Sequence, residues 1–290
     1  MKRETSMKSA GLHIVDTHAH IYHPDGTRYP MRAEPLRPPA GTGDIGHLQR
    51  EMQAAGVARA VLVQTGTAYH WDNRLLADTA TTHADWAVGV CTLDPAAPGS
   101  GTELERLVAG FNVRGLRVEP TRPPNARFDH PGSERMWKAA RRLGIVICAH
   151  IQSAFTPQLA ALLSRHPDVP VVLDHAAYPR GADGADSETV TRVVALARFP
   201  NLHLKLTFAV TGSEDDFPFR DMHPILLRLI EAYGPARCMW GSDFPCELWL
   251  KGKATYQTHL ALFTDELGLS EGERRTILER TPMQVWFPAG

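Results

Sequence analysis

Short runs of β-branched and other apolar residues recur along the whole chain, each bounded by polar or turn-forming residues. Eight stand out: His13–Thr17, Arg59–Gln64, Ala87–Leu93, Val113–Val118, Ile145–Ala149, Val169–Asp174, Leu202–Leu206 and Arg237–Gly241. Most are near-continuously apolar, the pattern of strands covered on both faces in a parallel sheet. Between them lie amphipathic stretches with start and stop signals. Asp44 precedes a helix that Gly56 ends, Asp72 opens another through Arg74–Ala77, and Ser133 leads into Met136–Leu143, stopped by Gly144. Thr156 before Pro157 reads as an N-cap with proline at the first helical position. Ser270 and Glu273 have capping-box spacing before the last helix. This alternation predicts an α/β fold, a single (β/α)8 TIM barrel over residues 11–290, after a disordered leader over residues 1–10. A doubly wound open sheet is the alternative, but neither Gly-x-Gly-x-x-Gly after a strand nor a P-loop is present.

Two connections are longer than the rest. Residues 21–44 carry five prolines with Arg28, Arg32 and Arg37, and residues 244–256 carry Trp249, Lys251 and Lys253. Both leave C-terminal strand ends, where barrel enzymes keep their active sites. The extended loop after strand 1 reads as a partial lid, with a proline-stiffened surface loop as the equal alternative.

Composition narrows the class. The chain has 290 residues, 43% of them hydrophobic, enough for one large core. A formal net charge of −1 without long runs of one sign argues against nucleic acid or an acidic membrane as partner. No apolar run approaches the roughly 18 residues of a membrane span. Cys91, Cys148, Cys238 and Cys246 form no C-x-x-C pair and read as reduced thiols. A cytoplasmic monomer or homodimer acting on a small molecule is expected.

The chemistry concentrates at strand ends. His18 and His20, in Ile14-Val-Asp-Thr-His-Ala-His-Ile21, are two apart on a strand and share a face. His150, His175 and Asp243 close three further apolar runs at the same end. One histidine so placed is more often structural than a ligand, but five ligand-type residues at one barrel mouth reverse that balance. Imidazoles and a carboxylate suit one divalent ion of the zinc class with a position open to water. Asp243 is placed to accept a proton from water and pass it on.

Other candidates flank this set. Arg117 and Glu119 share a strand face, so Arg117 faces the mouth as a carboxylate clamp or pairs internally with Glu119. Lys205 interrupts an apolar strand and either faces the mouth or pairs with a carboxylate, the first slightly favoured. Gln64 and Thr65 end strand 2 and can donate to substrate oxygens. Trp71, Tyr178 and Arg180 are loop residues of the same face, as are His23, His70 and His130.

The segments Val15-Asp-Thr-His-Ala-His20, Leu173-Asp-His-Ala176 and Trp240-Gly-Ser-Asp-Phe-Pro245 resemble the amidohydrolase superfamily, in particular its amidohydrolase-2 branch of TIM-barrel metal-dependent hydrolases. Within it the chain is similar to the lactonases related to 2-pyrone-4,6-dicarboxylate lactonase, sugar-acid lactonases and sulfomuconolactone hydrolase. The likeness runs from about Gly11 to Phe287 and rests on the order of the motifs more than on any one. It implies that His18, His20 and His175 surround the scissile carbonyl, that Asp243 activates water, and that Arg117 meets a substrate carboxylate. His150 departs from the metal-independent pyrone lactonases and points to the zinc-using relatives. Glu119 stands where the family has a neutral residue. The expected activity is metal-assisted opening of a small carboxylate-bearing lactone. The alternatives are metal-dependent non-oxidative decarboxylation, with the same ligands, and a non-catalytic ligand-binding barrel. A metal-independent lactonase mode stays open.

Overall fold

The structure, a computed structural model, describes residues 11–245 and 253–288. The expected leader over residues 1–10, and Cys246, Trp249 and Lys251, lie outside the described residues. Eight strands form one sheet in chain order: β1 (Ile14–Ala19), β2 (Val57–Val63), β3 (Ala87–Thr92), β4 (Val113–Val118), β5 (Val146–Ala149), β6 (Val171–Leu173), β7 (Leu202–Lys205) and β8 (Cys238–Met239). Every neighbouring pair is parallel. The ring closes where the chain beyond β8 meets β1: the amides of Thr17 and His20 donate to the carbonyls of Trp240 and Phe244, at 3.2 and 2.7 Å, and the Asp243 amide donates to the His18 carbonyl at 2.8 Å. This is a (β/α)8 barrel.

Two side-chain sets follow from the two-residue period of the strands. Leu62, Leu116, Ile147, Leu173 and Leu204 belong to the core shared with the surrounding helices. Val61, Val63, Val88, Val90, Val146, Cys148, Val172 and Met239 form a separate inner core. That inner core contains Trp286, from the C-terminal helix Thr281–Trp286, whose indole N–H points at Met239 Sδ at 3.4 Å. Gly115 on β4 makes room for the ring, since a Cβ there would sit 2.9 Å from its Cζ3.

The helix signals hold with small shifts. Asp44 accepts from the His47 amide at 2.7 Å and Gly56 ends helix Ile45–Ala55 in the left-handed region at φ 71°. Ser270 and Glu273 cap each other reciprocally. Helix Pro131–Leu143 begins ahead of Ser133, because His130 Nδ1 accepts from the Gly132 amide and Pro131 takes the first helical position. Thr156 is the first helical residue rather than the N-cap, its hydroxyl spent on the Ser153 carbonyl. Strand β1 runs on to Ala19, so His18 lies inside the strand. In contrast, β6 and β8 are shorter than expected, ending at Leu173 and Met239, and beyond them the backbone turns left-handed at His175 and at Asp243.

The loop following β1 lies across the β2 loop: the Arg32 amide donates to the Ala68 carbonyl at 2.8 Å, and the Tyr69 hydroxyl accepts from the His23 amide at 2.9 Å. Its Arg32 and Leu36 line the cavity at the strand ends. Cys91, Cys148 and Cys238 are buried free thiols, and no helix among the described residues is long and apolar enough to cross a membrane.

Candidate metal and catalytic site

The site is built on the seam between β1 and the chain after β8. Asp16 is fully buried, and its carboxylate accepts from four donors: the amides of His18 (3.0 Å) and Ser242 (2.9 Å), and the hydroxyls of Ser242 (2.6 Å) and Tyr256 (2.9 Å). It ties the residue before Asp243 to the backbone of His18. From that seam, His18 Nε2 and His20 Nε2 face each other at 3.2 Å, and Asp243 Oδ1 lies 3.5 and 3.4 Å from them. A tetrahedral zinc site with bonds near 2.1 Å has ligand atoms about 3.4 Å apart, so these three atoms are spaced to share one ion. His20 Nδ1 is bonded to the Val63 carbonyl at 2.9 Å, which makes it the N–H and leaves Nε2 as a bare lone pair.

His175 completes the cluster: one ligand atom each from His18, His175 and Asp243 lies within 4.8 Å of the other two. Its Nδ1 is 2.6 Å from the Thr207 hydroxyl, again leaving Nε2 for a ligand bond. Burial lowers the pKa of His18 well below the ordinary value and that of His175 to about 3, so both stand neutral at physiological pH, the ligand form. Burial opposes ionisation of Asp243, but the electrostatic influence of His175, His20 and Arg117 outweighs it and holds the carboxyl below its usual value. A neutral imidazole set with an ionised carboxylate is the donor chemistry of a zinc-class ion.

The backbone delivering His175 is unusual. His175, Ala176, Ala177 and Tyr178 all have φ between 44° and 64°, a left-handed turn without a glycine. Such residues cost roughly 1–2 kcal/mol each. The turn stacks Tyr178 on His175, ring centroids 4.7 Å apart and planes 21° apart.

His150 lies beside the cluster, its ring centroid 5.9 Å from that of His175, with both ring nitrogens engaged by other side chains. Its Nδ1 bonds Glu119 Oε1 at 2.8 Å and its Nε2 bonds the Tyr178 hydroxyl. Among the described residues the three-ligand group of His18, His175 and Asp243 includes neither His150 nor His20. Burial works against the Glu119 charge, but the His150 bond and Arg117 prevail and bring its pKa to about 2. The alternative of an Arg117–Glu119 ion pair gives way to another: Arg117 Nε lies 3.2 Å from Asp174 Oδ2, and Lys205 Nζ lies 2.9 Å from Asp174 Oδ1. Lys205 is fully buried and does not reach the cavity, so the alternative of pairing with a carboxylate is the one realised. Gln64 and Thr65 are likewise not cavity groups. Gln64 Nε2 donates to the carbonyls of His70 and Asp72, and the Thr65 hydroxyl to that of Ile21. Buried backbone carbonyls need a hydrogen-bond partner, and these two side chains supply it.

Above the cluster opens a cavity of about 1250 Å³ lined by His20, Arg117, Glu119, His150, His175 and Asp243, with Trp71, Tyr178 and Arg180 on its walls. Sequence reasoning passed over Asp16, Asp174 and Thr207. Their signal was a charged or hydroxyl residue inside or directly after a run of buried apolar ones. It also passed over Arg122, a cavity residue in a loop without any such contrast.

A family model described as "Amidohydrolase" matches residues 15–287. Among curated proteins the chain is 26% identical over 235 residues to an L-fucono-1,5-lactonase of Burkholderia ambifaria, covering 80% of each chain. It is 24% identical over 276 residues to a 4-sulfomuconolactone hydrolase of Hydrogenophaga intermedia, covering 93% of this chain and 88% of that protein. Among solved structures, an amidohydrolase from Burkholderia multivorans with bound zinc superposes with a TM-score of 0.75 at 23% identity, over 94% of this chain and 98% of that one. With the family match spanning nearly the whole barrel and the ligand-type residues of β1, β6 and β8 meeting at its mouth, the chain belongs to the amidohydrolase family.

Proposed function

We propose that the protein opens a small anionic lactone by hydrolysis, at a single metal site held by His18, His20, His175 and Asp243. The observation carrying this reading is the 3.2–3.5 Å spacing of His18 Nε2, His20 Nε2 and Asp243 Oδ1 on the floor of the cavity. A zinc-class ion bound there would supply Lewis-acid polarisation of the lactone carbonyl and acidification of water. Asp243, ionised and on the cavity floor, takes the proton of the attacking water and delivers it to the departing ring oxygen. His175, fixed by Thr207 and stacked under Tyr178, holds the carbonyl side of the ring. Glu119, His150 and Tyr178 form one hydrogen-bonded wall that excludes water from that side, while Trp71 and Arg180 line the outer wall. The names of the two curated relatives support a lactone over an acid that loses carbon dioxide.

The test is a paired assay on purified protein. Proton release is measured from L-fucono-1,5-lactone and related sugar-acid or muconic lactones, and carbon dioxide release from hydroxybenzoates, alongside metal analysis. Ring opening with about one zinc-class ion per chain is expected. Carbon dioxide release without ring opening would replace the lactonase reading, and full activity in chelator would make the metal dispensable.

A further inference from the structure

The outer wall carries a second constructed feature. The turn after β2 presents His70 and Trp71, and three successive carbonyls of it are held from inside by two buried amides. Gln64 Nε2 donates to His70 O (3.1 Å) and Asp72 O (2.9 Å), while Asn73 Nδ2 donates to Trp71 O (2.9 Å). Asn73 is itself tied to β3 through both the amide and the carbonyl of Thr92. His70 is held at φ 56° and ψ −118°, a conformation that residues with a Cβ avoid. On this pinned turn the Trp71 indole stays 37% exposed at the cavity edge, with the His70 ring against it at 4.3 Å. The Arg122 guanidinium, from the loop after β4, lies 5.1 Å from the indole centroid and hydrogen-bonds His70 Nε2.

Arg32, Arg122 and Arg180 all line the cavity, and among the described residues none of them has a carboxylate partner. Of the three carboxylates on the lining, Glu119 is bonded to His150 and Asp243 belongs to the metal cluster, leaving Asp94. Arg117, also on the lining, has its Nε 3.2 Å from Asp174 Oδ2. The cavity, at about 1250 Å³, is also larger than the roughly 300–1000 Å³ usual for a pocket holding a drug-sized ligand.

We propose that Trp71, His70 and Arg122 form a distal subsite for a flat-faced group bearing an acidic substituent, so that the substrate is a lactone with an anionic arm beyond the ring that is opened. This deepens, and rests on, the lactonase reading. The guanidinium takes the acidic oxygens with the N–H groups that His70 leaves free, and the arm lies against the exposed indole. A rigid aromatic surface beside a planar cation discriminates by face and charge together, which a lone surface arginine does not.

The test needs no turnover, so it stands apart from the lactonase assay. Benzoate, benzamide and cyclohexanecarboxylate are titrated into the purified full chain with ligand-observed NMR. The same titrations follow on Arg122→Met and Trp71→Leu, each checked for an unchanged melting temperature. Benzoate is expected to bind about tenfold tighter than either comparison compound. Arg122→Met should abolish its advantage over benzamide, and Trp71→Leu its advantage over cyclohexanecarboxylate. Equal binding of the three compounds to wild type, no detectable benzoate binding, or benzoate binding untouched by both substitutions would overturn the subsite. Ring opening of simple lactones with that negative result would leave the lactonase reading standing without it.

Discussion

Replacing Lys205 with methionine tests the charge arrangement beneath the site. The ammonium is fully buried, 2.9 Å from Asp174 Oδ1 and 5.6 Å above the Trp286 ring. Methionine keeps the length and apolar stem but deletes the charge. Removing one partner of a buried ion pair costs about 3–5 kcal/mol, and Arg117 at 3.2 Å remains with Asp174, so the lower end, about 3 kcal/mol, applies. For a domain of this size that is a fall in melting temperature of roughly 6–9 °C. The pH dependence gives a second reading. Burial resists ionisation of Asp174, but Lys205 and Arg117 hold its carboxyl well below the usual range. A depressed folded-state pKa contributes stability above the unfolded value near 3.9, and that stability is lost as pH falls further. The deficit of the variant should therefore be full at pH 7 and narrow below about pH 4. Thermal unfolding followed by circular dichroism, in chelator so that metal binding does not enter, measures both. A melting temperature within about 2 °C of wild type, coupled to a raised KM for an anionic lactone, would refute the structural role and put Lys205 in contact with substrate.

Three further outcomes are expected. Asp243→Asn should lower kcat at least about a hundredfold with an unchanged circular dichroism spectrum, because it removes the proposed proton acceptor on the cavity floor; turnover within a few-fold of wild type would place the base elsewhere. Trp286→Ala should cost about 3–5 kcal/mol in urea unfolding, since the indole fills the inner core below the site; a loss under about 1 kcal/mol would mean the barrel base is not sealed by that ring. Asp16→Ala leaves four donors without their acceptor, and should weaken zinc retention against a competing chelator by at least about tenfold while also lowering the melting temperature; unchanged retention would separate the seam from the metal site.

Local signals carried much of the fold. The strand–helix alternation, the Asp44 and Ser270 caps and the stop at Gly56 depend on residues within a few positions of one another, and each appears in the structure within a residue or two. The pairing of His18 with His20 was legible for the same reason: a strand places residues two apart on one face whatever surrounds it. The boundaries that moved, at Thr156 and at helix Pro131–Leu143, are those where the Thr156 hydroxyl donates to the Ser153 carbonyl and the His130 ring accepts from the Gly132 amide.

The sequence alone therefore determined the barrel, the end of it that carries chemistry, and the residue types gathered there. Only the tertiary structure decided which partner each took. Arg117 had Glu119 two positions away, yet Asp174, directly after β6, lies against it, and Glu119 went to His150. A buried charge pairs with whatever opposite charge the stagger of neighbouring strands brings nearest, and that stagger is a property of the closed ring. The left-handed turn at His175–Tyr178 had no glycine to announce it, because its conformation is imposed by packing between barrel and loops rather than by local preference. Periodicity is written into consecutive residues, whereas the pairing of groups dozens of positions apart exists only once the sheet has closed.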